Sequence, residues 1–135
     1  MKVLIIIARV LLGLVFVVFG FNAFLHFINM PPPEGLAGDF MKALFASHYF
    51  FVVAFLQIAG GAVCLICSRC VPLGLMLLGP VIVNILLFHI FLDPKGLPLA
   101  IVVSVLSLFL LWAYRQAFAG IIRPPTPSPA PAPKA

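Results

Sequence analysis

Leu78–Pro98, LGPVIVNILLFHIFLDPKGLP, decides the fold. Its first part is an apolar run interrupted by Pro80, Asn84 and His89. Asp93-Pro94-Lys95-Gly96 follows, a set of residues that favours chain reversal. The apolar run then resumes at Leu97, with Pro98 suited to a first helical turn. The stretch therefore predicts helix, tight turn, helix, and apolar segments of similar length lie on both sides of it.

Working outward, four such segments emerge: Val3–Ile28, Tyr49–Cys67, Val71–Leu92 and Leu97–Phe118. A bilayer core of about 30 Å needs about 20 apolar residues at 1.5 Å each. Of the 135 residues, 64% are hydrophobic and 8% charged, against about 25% charge in a soluble domain. Water is the wrong solvent for such a surface. The predicted class is all-α, an integral membrane four-helix bundle. Pro31-Pro32-Pro33 ends the first span. Within Glu34–Ser47, the apolar residues Phe40, Met41, Leu44 and Phe45 recur at helical spacing with Asp39 and Lys42 among them, which predicts a short interfacial helix between spans one and two. Tyr49 opens the second span at aromatic-belt level, and Trp112, Tyr114 and Arg115 close the fourth. Residues 1–122 form the four-span domain. Residues 123–135, rich in Pro and Ala, are expected to be a disordered tail.

The formal charge is +5, but the basic residues stand singly at segment ends. That excludes a nucleic-acid footprint and suits anionic lipid headgroups. Lys2, Arg9, Arg69, Arg115, Arg123 and Lys134 fall on one side of the membrane, and Lys42 and Lys95 on the other. This bias places both termini and the Arg69 turn in the cytoplasm. Glu34, Asp39 and Asp93 then lie outside. The apolar N-terminal run is too long for a signal-peptide core, is interrupted by Arg9 and lacks a clear cleavage site, so it is expected to remain as a span.

Each span carries a polar side chain about 9 to about 12 Å below the outer edge: Asn22, Gln57, Asn84 and Ser104. Burial in hydrocarbon favours pairing, so the four are expected to form an inward polar layer. The alternatives are helix–helix glue and a ligand-facing pocket. His26, His48 and His89 sit above that layer, near the three acids. A neutral histidine beside a carboxylate carries protons and hydrogen-bonds a quinone carbonyl, whereas the plainer alternative is a ring at headgroup level. His89 is the best candidate because it follows Asn84 and closes a helix that contains Pro80. Pro80 frees the Met76 carbonyl and predicts a kink. Gly74 and Gly79 allow a neighbour to approach closely, with Gly60-Gly61 as the matching surface.

Arg9, Arg69 and Arg115 mark the cytoplasmic interface. Arg9 has no acid on its side, so it either snorkels to headgroups or holds carbonyls, water or an anionic ligand. Cys64-x-x-Cys67-x-x-Cys70 lacks a fourth ligand for an iron–sulfur cluster and any nearby histidine for zinc, so no metal site is expected. A reducing cytosol argues against a structural disulfide. The readings left open are inert packing thiols, lipidation and thiol redox chemistry.

The opening ARVLLGLVFVVFGFNAF, the loop helix, Gln57-x-x-Gly60-Gly61 and PVIVNILLFHIFLDPKGLP together resemble the DoxX family of small bacterial membrane proteins over Ala8–Gly120. Many relatives have a lysine after the first-span glycine motif, where this chain has Gly20-Phe21-Asn22. The resemblance implies a four-helix fold, a bacterial inner-membrane location and a link to quinone-coupled sulfur oxidation or thiol stress complexes. The expected function is an accessory or quinone-interacting subunit of a membrane redox system. No cofactor is held by the chain alone, and quinone is the candidate ligand. The partners are the bilayer and either other membrane subunits or a second copy. A structural rim subunit and a small-solute permease are the alternatives. No independent catalytic motif is present.

Overall fold

The computed structural model describes residues 1–123. The expectation for the Pro/Ala-rich tail falls on residues beyond Arg123, outside the described residues. Among the described residues, six α-helices follow one another: α1 (Lys2–Leu25), α2 (Gly35–Ala46), α3 (Tyr49–Ile66), α4 (Val71–Phe91), α5 (Leu97–Ala113) and α6 (Arg115–Ile122). A single 3-10 turn, Pro94–Gly96, joins α4 to α5. Four helices are long and apolar enough to cross a bilayer, the build of a multi-pass membrane protein.

The spanning helices pack in a ring in chain order. α1 touches α3 and α5, and α4 touches α3 and α5. Short connections make neighbours antiparallel, so α1 begins and α5 ends at the same end of the bundle. Leu12, Phe16, Cys64, Val71, Leu75, Leu78, Val81, Val103 and Leu110 fill the centre. Outward positions such as Leu14, Phe55, Val83 and Leu108 are exposed apolar surface, suited to lipid.

Lipid tails are as apolar as leucine, so helices in a membrane associate through close packing at small residues. Close contacts of this kind hold α1 to α3 and α3 to α4. A Cβ added at Gly61 in α3 would lie 2.8 Å from the Gly13 carbonyl oxygen of α1. A Cβ added at Gly74 in α4 would lie 2.9 Å from the Gly60 carbonyl oxygen of α3 and 2.6 Å from Cys64 Sγ. The matching small surface is therefore Gly60 against Gly74. Gly79 faces open space and takes no part, which corrects that half of the sequence expectation.

The element ends depart from the apolar runs where backbone conformation intervenes. α1 stops at Leu25 because His26 adopts the left-handed conformation (φ 51°) and donates its N–H to the Asn22 carbonyl at 2.9 Å. The expected fourth span to Phe118 divides in two. The backbone at Tyr114 (φ −99°, ψ 13°) leaves the helical path, and α6 starts anew. Arg115 holds this corner. Its Nη1 donates to the Trp112 carbonyl at 2.9 Å, and its guanidinium lies 4.8 Å from the Trp112 ring centroid. α4 remains helical through Pro80.

Candidate functional site

The end of the bundle that carries α2 holds the candidate site. α2 is tied to the bundle by aromatic contacts. Phe40 lies 5.8 Å from Phe88 of α4, and Phe45 lies 4.4 Å from Phe50 of α3. Phe24 and Phe51 join α1 to α3 at 5.3 Å. These rings place α2 across the mouths of α3 and α4.

His89 is the centre of this end. It is half-buried, and its Nδ1 lies 2.8 Å from the carbonyl oxygen of Asp93. A carbonyl only accepts, so Nδ1 carries the hydrogen and donates it. That assigns the tautomer: in the neutral ring, Nε2 holds the lone pair. The Phe88 ring stands edge-on at 5.2 Å from the imidazole. The opposite constraint comes from Gly96 of the 3-10 turn, where an added Cβ would overlap the His89 ring. Asp93 in turn caps the 3-10 turn, its carboxylate accepting the Lys95 N–H at 3.4 Å. The turn between α4 and α5 thus fixes the orientation of one imidazole. Gly96→Ala is expected to destabilise the protein by about 1 to 3 kcal/mol by displacing that ring. Gly120→Ala, in α6 where space is open, should not lower the thermal midpoint in detergent.

His26 and His48 serve the backbone. Both are exposed and occupy the left-handed region, at φ 51° and 61°. His26 ends α1, and His48 turns the chain between α2 and α3. A non-glycine residue in this region marks a fixed chain reversal. Among the described residues, no group of three His, Cys, Asp or Glu side chains is placed to hold a metal.

The four polar residues of the expected layer do not pair with one another, which corrects that expectation. Asn22 is buried (7% exposed) and its Oδ1 accepts the Ile28 N–H at 2.7 Å, closing the end of α1. Ser104 Oγ donates to the Ala100 carbonyl at 2.7 Å. Asn84 is exposed, and its Nδ2 donates to the Pro80 carbonyl at 3.4 Å. Gln57 is half-buried in α3. Three of the four thus make their hydrogen bonds within their own segment and not across the bundle. Asn22→Ala would leave a main-chain donor without its acceptor, and a loss of about 1 to 3 kcal/mol is expected in chemical or thermal unfolding.

At the opposite end, Arg9 of α1 crosses to the α3–α4 turn, where Nη1 donates to Ser68 Oγ. Ser68 is not among the partners that the sequence suggests for Arg9; its place in a turn next to Arg69 is the signal the sequence carries. Arg9 Nε is buried without a partner among the described residues. Arg69 is exposed on the same turn. Cys67 and Cys70 are joined as a disulfide, against the sequence expectation. The physical reason is local. A turn with three residues of separation between antiparallel helices brings the two Cα atoms to 5.2 Å, within bonding range. Cys64 is free and fully buried.

No family model, curated protein or solved structure matches the chain.

Proposed function

We propose that the chain is an accessory, quinone-interacting subunit of a bacterial membrane redox system, with its termini cytoplasmic, α2 at the outer interface and His89 as the quinone contact. The observation that carries this reading is the fixed imidazole. Nδ1 is committed to the Asp93 carbonyl, so Nε2 is the ring's one available exchange position. Phe40 and Phe88 supply an apolar wall beside it, suited to a quinone ring. The side-chain chemistry fits a quinone headgroup: one hydrogen-bonding nitrogen set in aromatic surroundings at the edge of the hydrocarbon.

In the imidazolium form, Nε2–H donates to a quinone carbonyl oxygen. A reduced flavin, haem or iron–sulfur centre in a partner subunit would supply the two electrons. His89 would hold the quinone oxygen, pass it one proton and be reprotonated from the outer aqueous phase, and the second proton of the quinol would come from the same water. This chain supplies the proton and the orientation, and the partner supplies the electrons. The resemblance to the DoxX family supports the same reading.

Solvent extraction of the protein purified from native membranes tests the contact. About one quinone per chain is expected for the unaltered protein, and a marked loss is expected for His89→Gln. Equal quinone content in both would overturn the assignment of His89.

A structural rim subunit is the second reading, favoured by Asn84. This amide lies on an exposed α4 face with Met76, Val83 and Leu87. An amide is costly against lipid and gains from a neighbouring helix. Asn84→Leu is expected to weaken assembly with the partner, visible as a shift to smaller species on native gels, without loss of bound quinone.

A further inference from the structure

We propose that Cys67-Ser68-Arg69-Cys70 is a redox-active dithiol/disulfide site that exchanges two electrons with an external dithiol. It lies at the end of the bundle opposite His89, and the inference stands without the quinone reading.

Three observations carry it. First, the bridge closes only a four-residue turn. Loop-closure stabilisation grows with the length of chain enclosed, so this bridge adds little to the fold. The two helices that it joins are already held by the Gly60–Gly74 approach. A bridge with so little structural effect fits a chemical role better.

Second, the two sulfurs stand in unequal fields. Cys67 is the C-terminal cap of α3, and Cys70 is the N-terminal cap of α4. The partial positive charge at the start of α4 favours a thiolate at Cys70, and the partial negative charge at the end of α3 disfavours one at Cys67. The surroundings add to this. Arg9 donates to Ser68 inside the motif, and Arg69 is part of it. An open groove of about 330 Å³ between α1 and this turn, apolar at Ile5, Ile6 and Ala113, takes in Ser68 and carries the two cations Lys2 and Arg9. The three acids of the described chain belong to the other end of the bundle. A positive, acid-free setting at the water's edge is where reactive thiols are found.

Third, both cysteines are half-buried at the turn, whereas Cys64, one helical turn further into α3, is fully buried. The outer pair is open to exchange and the inner thiol is packed against Gly74.

The chemistry balances as thiol–disulfide exchange. In the reduced motif, the Cys70 thiolate attacks one sulfur of an external disulfide. A Cys70–partner mixed disulfide forms and one partner thiolate leaves. The Cys67 thiolate then attacks Cys70 Sγ, the internal bridge re-forms and the second partner thiolate leaves. Two thiols of the motif are oxidised as one external disulfide is reduced to two thiols, and the protons pass from the motif's thiols to the partner's. The reverse sequence oxidises an external dithiol. Cys70 is thus the attacking sulfur and Cys67 the resolving one.

The test uses the full-length protein in native membrane vesicles. Vesicles are equilibrated in mixtures of reduced and oxidised dithiothreitol, then free thiols are tagged with a mass-shifting maleimide under denaturing conditions. Two thiols are expected to appear together as a two-electron couple, and Cys64→Ala should leave that transition in place. Next, reduced variants are offered a disulfide-bonded fluorescent reporter. Cys67→Ala, which lacks the resolving thiol, is expected to accumulate at least about tenfold more mixed disulfide than Cys70→Ala. A bridge in folded protein that stays closed in excess dithiothreitol would overturn the proposal, as would equal trapping by the two variants. Co-elution of both variants with the unaltered protein on size exclusion establishes that each is folded.

Discussion

Gly61→Ala lowers the stability of the folded protein by about 1 to 3 kcal/mol, while Gly79→Ala changes it by less than about 1 kcal/mol. The two glycines lie in neighbouring spans, so composition and depth do not separate them. Their surroundings do. A methyl at Gly61 would meet the Gly13 carbonyl at 2.8 Å, Val17 Cγ2 at 3.0 Å and the Val17 nitrogen at 3.1 Å. Two of these atoms are backbone, so relief requires α1 and α3 to part. That separation is costly where helices adhere by close approach, because lipid offers no compensating hydrophobic gain. A methyl at Gly79 meets nothing within 4 Å outside its chain neighbours, and the helix propensity of alanine is offset by the Pro80 ring, which disfavours a helical residue with a Cβ before it. Thermal unfolding in one detergent, followed by circular dichroism, reads both. Equal shifts of the same sign would contradict the α1–α3 packing described above.

The second large effect is functional. In the native complex, His89→Ala is expected to lower quinone reduction by about 10² to 10⁴-fold, the range of a positioned acid–base group. The loss should fall on both KM and kcat, because in the proposed reading His89 both holds the quinone and passes it a proton. His48→Ala should leave turnover nearly unchanged, since His48 turns the backbone between α2 and α3. A similar loss in both variants would point to disruption of the whole α2 end and remove the specific role of Nε2.

Much of the architecture was legible in the sequence because lipid imposes a simple rule. Apolar runs of sufficient length, divided by Pro31–Pro33, the Ser68 turn and Asp93–Gly96, marked four spans and the loop helix. Boundaries were less legible where one backbone angle decided them. The left-handed His26 ends α1 ahead of the apolar run, and Tyr114 divides the expected fourth span. The site was harder to read for a different reason. These helices are apolar on every side, so sequence gives the depth of a polar residue and withholds its direction. Asn22 and Asn84 were expected in one layer, yet one is buried and the other exposed. The same limit hid Gly96 as the surface against which the His89 ring rests. The cysteine bridge departs from what a reducing compartment implies, because three-residue spacing at a turn carries its own geometric constraint.

The central claim is membership of a membrane redox assembly, and gentle extraction tests it most directly. The chain is solubilised in mild detergent at native expression, and whatever migrates with it is identified by mass and by optical absorbance. The account predicts a stoichiometric partner carrying a flavin, haem or iron–sulfur centre, with quinone in the same fraction. A colourless assembly of this chain alone would contradict it.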